Sequence, residues 1–119
     1  MIYNTVPEFN RDFKKLLKRF RTLEEDFEIL KKYHIEPYHL YGIQMPDPLP
    51  IEGAYPPCLQ SFKVRKFACK AMKSRGSNSG LRVIYIYEEA AKRITFIEIY
   101  FKADQKNEDR ARLKTWLER

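Results

Sequence analysis

The sequence predicts an α+β domain: a small antiparallel β-sheet packed against an N-terminal helical hairpin, with a C-terminal helix. Three observations lead there. Apolar residues recur at helical spacing from about residue 10 to 34, alternate with period two after residue 59, and return to helical spacing after residue 107. A stretch holding six of the seven prolines separates the first helical region from the strands. The length, 119 residues, suits one domain with one modest core, so residues 1–119 are read as a single unit.

Each element has its own signal. MIYNTVPEF alternates apolar and polar residues and reads as a first strand, with Pro7 at or near an edge. Asn10 is the expected cap of the helix that follows, in which Phe13, Leu16, Leu17 and Phe20 share a face. Thr22 and Glu25 have the spacing of a capping box, which starts a second helix over about 23–34 lined by Phe27, Leu30 and Tyr33. The two helices form a hairpin. Residues 36–57 carry Pro37, Pro46, Pro48, Pro50, Pro56 and Pro57 and are expected to be a wrapped loop, neither a regular helix nor a central strand. LQSFKVRKFA is a strand with Phe62 and Val64 on one face and Lys63 and Arg65 on the other. The Gly- and Ser-rich run from Gly76 to Gly80 is a turn or flexible link. LRVIYIY and ITFIEIYFK are two further strands, close enough in sequence to pair antiparallel. NEDRARLKTWLER closes the chain as a helix with Leu113, Trp116 and Leu117 apolar.

Composition narrows the function. No apolar run approaches the length of a membrane span, and the N-terminus has no basic start followed by an apolar stretch. A cytoplasmic protein with no membrane partner is expected. Cys58 and Cys69 lack CxxC spacing and a histidine pair, so two reduced thiols are expected and no zinc. His34 and His39 have neither cysteines nor aligned carboxylates beside them, and no metal or small-molecule cofactor is expected. The net charge of +7 is local. Between Gly53 and Tyr87 lie Lys63, Arg65, Lys66, Lys70, Lys73, Arg75 and Arg82 and no acidic residue, whereas the other 16 basic residues are matched by 16 acidic ones. A concentrated excess of this kind points to a polyanion partner, above all nucleic acid.

Within that segment Lys63, Arg65 and Arg82 are the constellation that can carry chemistry. Lys63 and Arg65 project from one face of a strand, and Arg82 begins the strand expected to pair with it. Three such cations in one concavity would hold a phosphodiester and stabilise the added charge of a pentacoordinate transition state. Arginine suits this because its planar fork binds phosphate oxygens in pairs. The like charges around Lys63 are expected to lower its pKa. Lys70, Lys73 and Arg75 flank the patch, and Tyr85, Tyr87 and Tyr100 are core aromatics of which one could stack on a base.

FKVRKFACKAMKSRGSNSGLRVIYIY followed by ITFIEIYFKADQKNEDRARL resembles the RelE/HigB-like toxins of bacterial type II toxin–antitoxin systems, within the RelE/ParE superfamily. The likeness rests on Phe62-Lys63-Val64-Arg65, on Gly80-Leu81-Arg82-Val83-Ile84-Tyr85, on Ile97 to Lys102, and on the helix from Phe9 to Leu16. The resemblance implies a ribosome-dependent mRNA endoribonuclease that needs no metal and is neutralised by a cognate antitoxin. In such an enzyme the RNA 2′-hydroxyl attacks the adjacent phosphate and leaves a 2′,3′-cyclic end. By the family pattern Lys63 and Arg65 orient or deprotonate that hydroxyl and bind phosphate, Arg82 neutralises the transition state, and Lys102 assists. Lys66, Lys70, Lys73, Arg75, Tyr100 and Lys106 would bind RNA. Ala103 and Asp109 stand where the family carries an arginine and a tyrosine, with Tyr100, Lys106 and Arg110 nearest to fill in. A ParE-like toxin that binds a protein target and an RNA-binding module without chemistry are the rival readings.

Overall fold

The computed structural model describes residues 1–44, 46–51, 58–72, 76 and 78–119. β1 (Ile2–Thr5) leads into α1 (Pro7–Arg19) and α2 (Leu23–Leu30). A π-helical turn, Lys31–Ile35, joins α2 to α3 (Glu36–Tyr41). There follow β2 (Leu49–Pro50), β3 (Leu59–Val64), β4 (Leu81–Glu88), β5 (Arg93–Phe101) and α4 (Arg110–Leu117). The strands form one sheet in the order β1-β5-β4-β3-β2. The α+β class, the hairpin and the closing helix are as expected. The sheet is mixed: β2, β3, β4 and β5 pair antiparallel, but β1 lies parallel to β5, with Tyr3 opposite Ile94.

Several local expectations give way to the backbone. The first strand stops at Thr5, because Pro7 opens α1 from its first turn, where its fixed φ fits and a missing N–H costs nothing. Asn10 therefore lies inside α1, its N–H bonded to the Val6 carbonyl, and does not cap it. The capping box at Thr22 does not form. The Thr22 hydroxyl instead donates to Asp26 at 2.7 Å and accepts from the Ala71 N–H at 2.9 Å, tying the chain after β3 to the start of α2. The Pro-rich segment also holds regular structure. Pro37 sits in the first turn of α3, and Pro50 in the edge strand β2, both positions that need no proline N–H.

β3 ends at Val64, short of the run to Ala68 expected from the sequence. The central strand β4 is buried on both sides, and successive residues point to opposite faces. Tyr85 meets the hairpin side, where it stacks on Phe62 and approaches Phe96. Phe96 in turn packs against Phe9 and Phe27, with Phe27 at 4.7 Å between ring centres. Ile84 and Ile86 face the other way. There Trp116 of α4 shares a groove with Ile86 and Thr95, and Leu113 and Leu117 are buried. The helices thus cover both faces of the sheet, the hairpin on one and α4 on the other. A bulge in β5, between the Ile84–Glu98 and Tyr85–Phe96 pairs, shifts the register at mid-strand.

α3 adds a lid of aromatic contacts. His39 lies against Tyr87 at 4.0 Å and bonds to the Tyr85 hydroxyl at 2.7 Å. Burial, with a lesser push from Lys92, lowers the imidazole pKa to about 4.

Two outcomes follow from this core. Phe96→Ala removes the ring on which Phe9, Phe27 and Tyr85 converge, and should cost about 3–5 kcal/mol in urea-unfolding free energy. His39 has the same sign of linkage as a paired carboxylate and differs in its window: the unfolded chain protonates it below about pH 6.5, while the native fold resists until about pH 4. Stability is therefore fully present above the first value and is lost as pH falls toward the second. The urea midpoint of the wild type should drop more steeply across that interval than that of His39→Asn.

Candidate functional site

β3 and β4 bring their ends together beside a buried carboxylate. Asp47, only 3% exposed, accepts the backbone N–H groups of Arg65, at 2.7 Å, and of Lys66. Those two donors are thereby withdrawn from the β-ladder, which ends β3 and turns the chain outward. The pairing of Val64 with Val83 sets Arg65 next to Arg82. Arg82 Nη1 donates to the carbonyl oxygens of Arg65, at 3.0 Å, and Leu81, at 3.3 Å. On the other side of β4, Arg82 is opposite Tyr100, and the Lys102 N–H bonds to the Gly80 carbonyl at 2.9 Å.

The result is a cleft of about 360 Å³ lined by Arg65, Lys66, Asn78, Gly80, Arg82 and Lys102. Four of these six are cations and none is a carboxylate. Among the described residues Lys66, Arg82 and Lys102 form no ion pair, and Arg65 has only a long one, Nε to Asp47 Oδ1 at 3.9 Å. Such a set of guanidinium and ammonium groups around one space can bind an anion with several oxygens.

The link before β4 is pinned where the sequence suggested a hinge. Ser79 is fully buried, donates to the Phe67 carbonyl and accepts from the Leu81 N–H at 3.1 Å. Gly80 follows with φ +88°, and a Cβ there would come within 3.0 Å of the Phe101 ring. Glycine at this position lets the cleft floor and Phe101 approach.

Lys63 does not join that cleft. It lines an adjoining groove of about 350 Å³, in which Leu49, Pro50 and Ile51 face Lys63, Glu108 and Arg110, and Arg65 borders both spaces. Lys63 Nζ is paired with Glu108 Oε1 at 2.9 Å, and Arg110 Nε holds the other carboxylate oxygen at 2.7 Å. Burial alone would lower the Lys63 pKa, but the Glu108 carboxylate and the Tyr100 hydroxyl outweigh it and hold the ammonium above its ordinary value. Burial likewise works to raise Glu108, yet Lys63 and Arg110 keep it below the usual carboxylate range. The expected depression of Lys63 toward a base is thus reversed. The fold supplies a carboxylate 2.9 Å away, beside the Tyr100 hydroxyl, that holds the proton on Lys63.

The remaining predicted residues scatter. Tyr100 is 4% exposed, its ring 6.0 Å from Lys63 Nζ, so it supports the site from below and offers no stacking face. Lys70 pairs with Glu25 on α2, away from the cleft. Lys106 is exposed on the turn before α4. Lys73 and Arg75 lie outside the described residues. Asp109, at a position where the resemblance led to a tyrosine, caps α4 by accepting the Arg112 N–H at 3.0 Å. Its own N–H donates to the buried Glu98 at 2.8 Å, which also accepts from Gln105 at 2.7 Å. Burial raises the Glu98 pKa, against the pull of those two donors. This carboxylate anchors the turn that carries Glu108. Asp47, Glu98 and Glu108 are the residues that sequence reasoning missed. The one signal available for them was an acid within an apolar strand, Glu98, or beside a proline, Asp47.

No group of three or more His, Cys, Asp or Glu side chains is placed to hold a metal ion among the described residues, and no helix there is long and apolar enough to cross a membrane. No protein-family model, curated protein or solved structure matches the chain.

If the cleft is the anion site, inorganic phosphate titrated by NMR should shift the Gly80 and Lys102 amides. Removing one charged hydrogen-bond donor costs about 1.5–3 kcal/mol, so Arg82→Ala should weaken that binding roughly 10-fold or more. Lys70→Ala should leave it unchanged.

Proposed function

We propose that the chain binds and cleaves single-stranded RNA at a phosphodiester held in the Arg82 cleft, as a toxin of the RelE/HigB kind acting on mRNA at the ribosome. The observation that carries this reading is the cleft itself: Arg65, Lys66, Arg82 and Lys102 around one space with no carboxylate among its described lining residues. The resemblance of the strand motifs around Lys63, Arg82 and Lys102 adds the reaction class, its independence of metal, its cytoplasmic setting and a cognate antitoxin as partner.

In this reading the 2′-oxygen forms a bond to phosphorus as the bond to the 5′-oxygen breaks. The products are a 2′,3′-cyclic phosphate and a 5′-hydroxyl. One proton leaves the 2′-hydroxyl and one reaches the 5′-oxygen. Arg82 and Arg65 supply hydrogen bonds to the non-bridging oxygens, whose charge grows in the transition state. Lys102, exposed at the rim, adds a positive field. Lys63 stays an ammonium and acts by its charge, not as the base.

One observation favours a second reading, RNA binding without cleavage. Lys63 is bound to Glu108, and Tyr100 is buried, so neither is poised to move a proton. A ParE-like role has no comparable feature in its favour.

Incubation of the purified protein with ribosomes and mRNA in the presence of EDTA separates these. Cleavage that survives EDTA, leaves cyclic-phosphate ends and falls at least 100-fold in Arg82→Ala supports the proposal. RNA retained without cleavage sinks it in favour of a binding module, and growth arrest with intact RNA turns the reading toward a protein target.

A further inference from the structure

The groove beside the cleft has a composition that a second phosphate would not need. Leu49, Pro50 and Ile51 form one wall, and the Ile51 N–H bonds to the Ser61 carbonyl at 2.8 Å, which fixes that wall to β3. Pro50 is exposed and Ile51 half-buried, so the wall presents apolar surface to the groove. The opposite wall is Glu108 between Lys63 and Arg110. Among the described residues lining the two spaces, Glu108 is the only carboxylate. Its charge is matched by Lys63 and Arg110, and its oxygens keep lone pairs that can accept hydrogen bonds from hydroxyl or amino groups. The Arg110 side chain is 64% exposed and can lie flat over a ring. Arg65 is the shared border, so a ligand can hold its phosphate in one space and a neutral, partly flat group in the other.

The geometry points to the groove between β2 and the start of α4 as a nucleoside subsite: it takes the ribose and base attached to the phosphate in the Arg82 cleft. The inference rests on the phosphate reading above and deepens it. The base packs on Pro50 and Ile51, Arg110 covers its other face, and Glu108 accepts from a ribose hydroxyl or an exocyclic amino group. In this arrangement the Pro-rich segment supplies part of the binding surface, through the two residues of β2 and the one that follows.

Calorimetric titration of the whole chain with inorganic phosphate and with adenosine 3′-monophosphate tests this. The nucleotide should bind at least 10-fold more tightly than phosphate. Arg110→Ala and Ile51→Asp should each remove most of that advantage and leave the phosphate affinity within about 2-fold of wild type. Arg110 is solvent-facing, so Arg110→Ala keeps the test open if Ile51→Asp fails to fold. Equal affinities for the two probes in the wild type, with phosphate still dependent on Arg82, would overturn the subsite and leave the cleft standing. Phosphate binding that Arg82→Ala leaves intact overturns the reading beneath it, and the subsite with it.

Discussion

The candidate site depends on one buried carboxylate. Asp47 takes the two N–H groups that would otherwise continue β3, and in doing so it decides where Arg65 and Lys66 leave the sheet. The Arg65 carbonyl, freed by that turn, is the acceptor that steadies Arg82. A charge-assisted hydrogen bond is roughly twice as strong as a neutral one, and an unmade one at a buried acceptor is costly. Asp47 has one oxygen that stays without a hydrogen bond, and that oxygen lies 3.9 Å from Arg65 Nε. The carboxylate therefore holds the backbone firmly and Arg65 loosely. Arg65 is half-exposed, free to turn toward an incoming anion while its main chain stays put.

Charge balance along a chain and charge balance in space are different quantities, and this protein separates them. The segment from Gly53 to Tyr87 has seven cations and no acid, yet folding brings Glu108 to Lys63 and Glu25 to Lys70. The excess that survives folding gathers at Arg82, Lys66 and Lys102, the last of which comes from outside the segment. The two kinds of cation have different chemistry. A lysine paired with a largely buried carboxylate holds its proton: burial works against the charge, but the hydrogen bonds to Glu108, at 2.9 Å, and to Tyr100 outweigh it. An arginine bound only to carbonyl oxygens keeps its charge uncancelled and available to a ligand.

Patterns with a short range were legible. Period two over Phe62 to Val64 and over the two later strands gave the sheet, strand parity gave the shared face of Lys63 and Arg65, and the pairing of the two strands gave Arg82 as their neighbour. The helical repeat of Phe13, Leu16 and Leu17 gave α1, which also takes in Phe9, expected in the first strand. What depends on partners distant in sequence was not legible. Thr22 has the spacing of a cap, but Ala71, 49 residues on, competes for its hydroxyl. β1 pairs parallel with a strand some ninety residues away, and no local feature of IYNT marks that direction. Prolines were read as breakers throughout, although Pro7 and Pro37 occupy first turns, where proline is a helix former in practice.

The same distinction explains why the place of Arg82 was legible and the protonation of Lys63 was not. Arg82 occupies the start of a strand buried on both faces, so its position follows from β4 alone: parity sends it to the α4 side and the pinned Ser79–Gly80 turn keeps that end in register. Lys63 has the same parity, but its protonation is set by the turn from Lys102 to Asp109, which Glu98 anchors. A buried carboxylate in mid-strand has to find donors, and here it finds them in Gln105 and the Asp109 N–H. That requirement draws the turn down onto the sheet and delivers Glu108 beside Lys63. The polar group that looks least suited to an apolar strand is thus the one that determines the electrostatics of its neighbour.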